Sequence, residues 1–225
     1  MILLSIDTST RVCSVALHQN GKLLACYELL TEKSHSGMLT SLVQAIVHQA
    51  GFTLSQVDAF VVAKGPGSYT GLRIGVSTAK GLCFGLDKPL IAINTLEAMA
   101  YQLKDFFSEE YLLCPMIDAR RMEVYCAVFD KKTRVIQATE AKIIDENSFE
   151  ALLNQHPIVF FGDGAAKCQA KLSHKNAIFL ETFVYPSAKT IGYLATQSFE
   201  KGFFEDVITF EPFYLKEFFN LVNSE

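Results

Sequence analysis

Apolar and polar positions along the chain fall into short blocks of strand length separated by turn residues. Residues 3–6 are an apolar run, Asp7-Thr8-Ser9-Thr10-Arg11 interrupts it, and a second run covers 12–17. Asn20-Gly21 follows, a two-residue hairpin signal because both types tolerate positive φ, and 22–29 returns as a third strand. Apolar spacing of three and four predicts a helix over 34–50. A strand over 59–63, the loop Lys64-Gly65-Pro66-Gly67-Ser68-Tyr69-Thr70-Gly71, a helix over 72–86 and a strand over 90–93 come next.

The same order recurs in the second half. An apolar run over 112–117 ends at Asp118-Ala119-Arg120-Arg121, 124–129 returns, and Asp130-Lys131-Lys132 turns into a strand over 134–138. A short helix over 148–154 precedes a strand over 158–161, which ends in Gly162-Asp163-Gly164. A helix over 165–172, a strand over 178–180 and a helix over 187–200 complete the pattern. Both halves open with Ile-Asp at a strand end, and both place Gly-x-Gly after the fourth strand. Two βββαβαβα units, each half a chain long, resemble the actin-like ATPase superfamily with its ribonuclease H-like fold. The resemblance implies an α/β protein whose two lobes, 1–100 and a smaller 101–225, face each other across a cleft.

Composition narrows the function classes. The formal net charge is -4 with Lys and Arg scattered, which argues against unaided nucleic-acid binding, since that needs a basic patch or stripe. No apolar run approaches the roughly 18 residues of a membrane span. The N-terminal stretch lacks the basic region and small-residue cleavage site of a signal peptide. Cys13, Cys26, Cys83, Cys114, Cys126 and Cys168 form no CxxC pair, and scattered thiols in apolar runs fit a reducing compartment. The expected location is the cytoplasm, without membrane association.

Two motifs carry candidate chemistry. Asp7, Thr8 and Ser9 at a strand end can hold a hydrated magnesium ion and phosphate oxygens, or can satisfy the amides of their own turn. Gly65 and Gly67 lead into a helix whose first-turn amides attract anions. The loop lacks the P-loop ending and the Rossmann spacing, and Ser68 or Thr70 capping the helix is the alternative. His18, His35, His48, His156 and His174 show no zinc-type spacing, and there is no nucleophile elbow.

The helices around that loop have more apolar surface than one core requires. On 34–50, Met38, Leu39, Leu42, Val43, Ala45, Ile46, Val47 and Ala50 spread over roughly 200° at 100° per residue. On 72–86, Arg73 and Lys80 lie two turns apart among Ile74, Gly75, Val76, Ala79, Gly81, Leu82 and Gly85. Such helices imply a deeply buried layer or a protein–protein interface.

Taken in order, LLSIDTS, AKGPGSYTGLRIGVSTAKGL, PLIAINTLEAMA, IDARRMEVYCAVF and GDGA resemble the TsaB (YeaZ) family of tRNA threonylcarbamoyladenosine biosynthesis proteins, historically grouped with the M22 glycoprotease-like proteins. The late EPFYLKE segment fits as well. The resemblance implies a non-catalytic scaffold paired with a metal-binding paralogue, TsaD, which transfers threonylcarbamoyl to adenosine in tRNAs reading codons that begin with A. That paralogue carries a His-x-x-x-His pair after the strand following the glycine loop. Here Thr95 and Met99 occupy those positions, and a hydroxyl and a thioether do not replace two imidazoles. No catalytic or metal-binding residue is therefore expected. By the same resemblance the partner interface comprises His35, Met38, Leu39, Leu42 and Ile46 on the first helix and Arg73, Ile74, Val76, Ser77 and Lys80 on the second. These helices bind the paralogue or a second copy of the chain. A TsaE-like ATPase is the third member, tRNA is reached only through the complex, and no cofactor is required. Asp7, Thr8, Ser9, Gly65 and Gly67 leave room for weak ATP or ADP binding. An ATP-binding phosphotransferase and an M22-type metallopeptidase are the rival readings.

Overall fold

β1 (Ile2–Asp7) sends Ile2, Leu4 and Ile6 to one side of its sheet and Leu3 to the other, the two-residue period of a strand buried on both faces. The structure, a computed structural model, describes residues 1–30 and 35–216. Position 34, where the sequence pattern starts its first helix, and 217–225 of the expected second lobe lie outside the described residues.

β1 pairs antiparallel with β2 (Cys13–Gln19), which pairs with β3 (Lys22–Leu29) through the expected hairpin, with Asn20 and Gly21 both at positive φ. α1 (His35–Gln49) leads to β4 (Ala59–Gly65), parallel to β1. α2 (Tyr69–Leu86) crosses to β5 (Leu90–Asn94), and the order is β3-β2-β1-β4-β5. The second sheet is built from β6 (Leu112–Asp118), β7 (Glu123–Phe129), β8 (Val135–Ile143), β9 (Ile158–Phe161) and β10 (Ala177–Phe179). Its order, β8-β7-β6-β9-β10, is the first sheet repeated strand for strand. The glycines ending the fourth strands, Gly65 at φ 108° and Gly162 at φ 103°, repeat as well.

The helices do not repeat as well as the strands. The counterpart of α1 is α4 (Glu150–Leu153), and the helix expected over 165–172 is a 3-10 turn at Ala166–Cys168. α3 (Thr95–Leu103), to which the hydrophobic pattern assigns no element, is wedged between the lobes. Its Ala98 joins the core of the first sheet, while Leu96, Met99 and Ala100 join that of the second. α5 (Ala188–Glu200), which sequence order assigns to the second half, packs on the first sheet, where Ile191 and Ala195 meet Leu3, Val61 and Ile93.

α2 seats on the β1–β2 turn through glycines four residues apart. A Cβ at Gly71 would overlap the Thr8 carbonyl, one at Gly67 the Ser9 carbonyl, and one at Gly75 the Thr8 hydroxyl. Each would approach closer than real Cβ atoms do. Ser68 N donates to the Ser9 carbonyl at 2.7 Å, and Thr8 Oγ1 donates to the Gly71 carbonyl at 2.6 Å.

α5 buries polar groups under an unusually close contact. Gly192 lies against the His18 ring and Ser5 Oγ, and the Lys189 backbone only weakly offsets the burial of that ring. Burial lowers the His18 pKa to about 4. Asp7, on the same side of β1 as Leu3, is fully buried; desolvation lifts its pKa to about 6 against the hydrogen bonds from Ser9, and Glu28 adds to the rise.

Two expectations follow. Gly71→Ala should cost at least about 2–3 kcal/mol in urea denaturation, because a carbonyl of the neighbouring turn must move; an unchanged midpoint would show that the seat is loose. Asp7 binds its proton more tightly folded than unfolded, so it costs stability progressively from about pH 4 to about pH 6 and fully above. Asp7→Asn should therefore gain about 2–3 kcal/mol at pH 7.5, a gain that vanishes near pH 4. His18 has the opposite sign, its contribution falling on acidification from pH 6.5 to about 4, so the Asn variant should lose stability through that window more steeply than wild type. A pH series of urea midpoints tests both, and a gain independent of pH would refute the assignment to Asp7.

Candidate functional site

Strand ends and their turns converge where the lobes meet. The β1–β2 turn, the glycine loop before α2, the β6–β7 turn and the Gly162-Asp163-Gly164 loop enclose a cleft of about 630 Å³, with residues 213–216 as a further wall. Ser9, Arg11 and Tyr69 face it from the first lobe and Asp118, Arg120 and Asp163 from the second.

Of the residues expected to hold phosphate, Ser9 and Gly67 line the cleft, whereas Asp7, Thr8 and Gly65 do not. Asp7 turns inward: Oδ1 accepts from Ser9 N at 2.8 Å and Ser9 Oγ at 2.6 Å, and Oδ2 is buried without a partner. Thr8 spends its hydroxyl on α2. Gly65 is covered by Leu72 and the Phe213 carbonyl. Ser68 caps α2, its Oγ accepting from Gly71 N at 3.3 Å, so the capping alternative describes this loop. As folded, these residues do not fit a magnesium-bound phosphate at Asp7.

Across the cleft, Arg120 and Arg121 both have positive φ, 71° and 49°, in the tight β6–β7 turn. Lys167 fastens that turn by donating to the Arg121 and Glu123 carbonyls at 2.7 and 2.8 Å and pairing with Asp118. Desolvation works against the Asp118 carboxylate, yet Lys167 and the Arg120 amide hold its pKa below the usual value. Asp163 accepts from the Asp118 amide at 3.0 Å and has its pKa raised, chiefly by burial.

The expected interface residues do not share one environment. Leu39, Ile46 and Val76 belong to the chain's own core, the last only 4% exposed, so they are corrected from surface to core. Arg73 and Lys80 are engaged internally: Arg73 Nε donates to Tyr214 Oη at 3.3 Å, and Lys80 Nζ donates to the Ile208 and Phe210 carbonyls, each at 3.0 Å. His35 lines the cleft and donates from Nε2 to the Thr10 carbonyl at 2.8 Å. Met38, Leu42 and Ile74 remain half-buried and Ser77 exposed. The sequence pattern passes over Phe84, one turn beyond Lys80 and 81% exposed. Four residues past Lys80 it shares that residue's face of the helix, the signal that could have found it. Gly81 and Gly85 flank it, and a Cβ on either would meet nothing within 4 Å.

Among the described residues, no group of three or more His, Cys, Asp or Glu side chains is placed to hold a metal ion. Thr95 and Met99 are fully buried, with Met99 against Gly162 in the core between the lobes. The cysteines are free; burial raises the pKa of Cys13, Cys83 and Cys168 to about 11, which suits packing more than reactivity. No described helix is long and apolar enough to cross a membrane.

Comparison with known proteins agrees with this architecture. The family model described as "TsaD: tRNA N6-adenosine threonylcarbamoyltransferase" matches residues 29–218. The TsaB protein of Escherichia coli K12 is 32% identical over 222 residues, covering 96% of this chain and 95% of that protein. The TsaB protein of Haemophilus influenzae is 41% identical over 125 residues, a match spanning 56% of this chain and 52% of that one. YeaZ from Pseudomonas aeruginosa superposes with a TM-score of 0.82 at 27% identity, covering 95% of this chain and 99% of that one. The repeated sheets are those of the actin-like ATPase fold. The chain belongs to the TsaB (YeaZ) family of tRNA threonylcarbamoyladenosine biosynthesis proteins.

Proposed function

We propose that this chain is a non-catalytic scaffold subunit that pairs through α1 and α2 with a TsaD-like paralogue and so enables threonylcarbamoyl transfer to adenosine in tRNA. The outer face of α2 carries the proposal. Glycine inside a helix costs about 1 kcal/mol relative to alanine, and Gly71 and Gly75 justify that cost by packing against the β1–β2 turn. Gly81 and Gly85 have no such contact in this chain, and exposed Phe84 lies between them. Another protein's helix laid on this face could approach the glycine backbone closely and bury the ring.

Burial of Thr95 and Met99 supports a partner as the source of the chemistry, because side chains packed in the inter-lobe core are unavailable as ligands. In this reading the paralogue supplies the metal site, a TsaE-like ATPase joins the pair, and tRNA is engaged by the complex. A second copy of the chain can use the same face when the paralogue is absent. No nucleotide is required by this chain itself.

Depleting the protein and quantifying threonylcarbamoyladenosine in bulk tRNA by mass spectrometry tests the role, and undiminished nucleoside would overturn it. The interface has its own test. Gly81→Ala should stabilise the isolated chain by up to about 1 kcal/mol yet weaken association with the paralogue about tenfold, and Phe84→Glu should abolish association without loss of fold. Light scattering on the mixed proteins reads both, and wild-type association by both variants would place the contact elsewhere. Val76→Asp is unsuitable, since that side chain belongs to the core.

A further inference from the structure

After α5 the chain runs back over the first lobe and then along a wall of the cleft to the second. Glu205 N donates to the Leu90 carbonyl at 2.9 Å, the isolated bridge that fixes the segment to the edge of β5. Asp206 Oδ1 accepts from the amides of Ile208 and Thr209 at 2.8 and 2.9 Å and folds a turn that lets Val207 and Phe210 pack on the first core. Lys80, in the middle of α2, holds the carbonyls on either side of Thr209. Further on, Phe213 N donates to the Lys64 carbonyl at 2.7 Å, and the Tyr214 ring packs 4.9 Å from Tyr69. Then the segment reaches the other lobe: Lys216 Nζ donates to the Ala119 carbonyl at 3.3 Å and pairs with Glu123.

The two lobes have another tie, made by residues that do not line the cleft. There α3 is wedged between the sheets, and Asn94 Nδ2 donates to Thr139 Oγ1 at 3.3 Å. Buried apolar packing makes that tie the stiffer of the two, whereas Lys216 and Glu123 remain partly exposed. Two lobes held by one buried apolar tie and one exposed polar tie part at the polar one.

We propose that Glu205–Lys216 is a strap that sets the opening of the inter-lobe cleft, with Lys80 on α2 as its latch and the Lys216–Glu123 pair as its far tie. Lys80 does not line the cleft, yet it fixes the segment whose last four residues form a cleft wall. Ile208, whose carbonyl Lys80 holds, is 81% exposed beside the α2 surface that carries Phe84. If the interface proposed above is correct, and only this consequence rests on that reading, a protein docked there bears on the latch and through it on the cleft.

The chain contains no tryptophan, so Tyr125→Trp places a single reporter in the cleft wall. The free full-length chain carrying it is compared with and without Lys80→Met, by iodide quenching of the reporter and by amide exchange at Phe210 and Phe213. The expected result is exchange about tenfold faster at those amides together with quenching raised about twofold. Faster exchange with unchanged quenching would sink the coupling, and unchanged exchange would show that Lys80 is no latch. Should Lys80→Met fail to fold, Lys216→Met breaks only the far tie. It should raise quenching while exchange at Phe210 stays at the wild-type rate, and unaltered quenching overturns the strap. Because only the free chain is used, the result is independent of whether a paralogue binds.

Discussion

A backbone carbonyl and a Cβ cannot occupy the same space, and that exclusion shapes the first lobe. The carbonyls of Thr8 and Ser9 project where side chains at Gly71 and Gly67 would stand, so α2 descends onto the β1–β2 turn until its own backbone meets it. The hydrogen bonds from Ser68 N and Thr8 Oγ1 then lock the contact. Asp7 lies on the other face of β1, the one α5 covers, and Phe84 at the far end of α2 faces solvent. A loop composed like a phosphate cradle has become a joint between two elements of the same lobe.

The duplication shows what a sheet needs and what it can lose. Strand order is preserved in both lobes because each strand depends on its neighbours for backbone hydrogen bonds. The helices are less constrained: α4 spans a single turn, and the counterpart of α2 has shrunk to Ala166–Cys168. One face of the second sheet is instead covered by α3, contributed by the first half of the chain, while α5 from the second half covers the first sheet. Each half therefore lends the other a helix, which holds the lobes together without a large direct contact between the sheets.

Much of this was legible in the sequence, and the gaps have physical causes. Strand positions, the Asn20-Gly21 hairpin and the twofold order followed from local pattern, because a buried strand declares itself within a few residues. α3 escaped because its residues divide between two cores, so no single apolar stripe marks it. The destination of α5 was illegible because sequence order says nothing about which sheet a terminal helix covers. At the site, Leu39, Ile46 and Val76 were expected at an interface because an apolar arc of roughly 200° cannot reveal which part of it meets the chain's own sheet. Arg73 and Lys80 looked available because their partners, Tyr214 and the carbonyls of Ile208 and Phe210, lie more than a hundred residues away.

The same contrast bears on the proposed scaffold role. An enzyme of this architecture must keep its cleft polar groups free for ligands, at the cost of stability. Here the β1–β2 turn has committed its hydroxyls internally, and Thr95 and Met99 have been absorbed into the packing between lobes. Yet not every cost has been removed. Asp7 remains a buried carboxylate with one oxygen unpartnered, the two arginines of the β6–β7 turn keep left-handed backbones, and two glycines on α2 face open space. The first is a constraint inside the joint, and the others lie where another molecule can reach them. Selection for stability alone would remove exposed helix glycines most readily, since alanine fits without any rearrangement. Their presence on the outer face of α2, beside an exposed phenylalanine and next to Lys80, is what the proposed contact with a second protein accounts for.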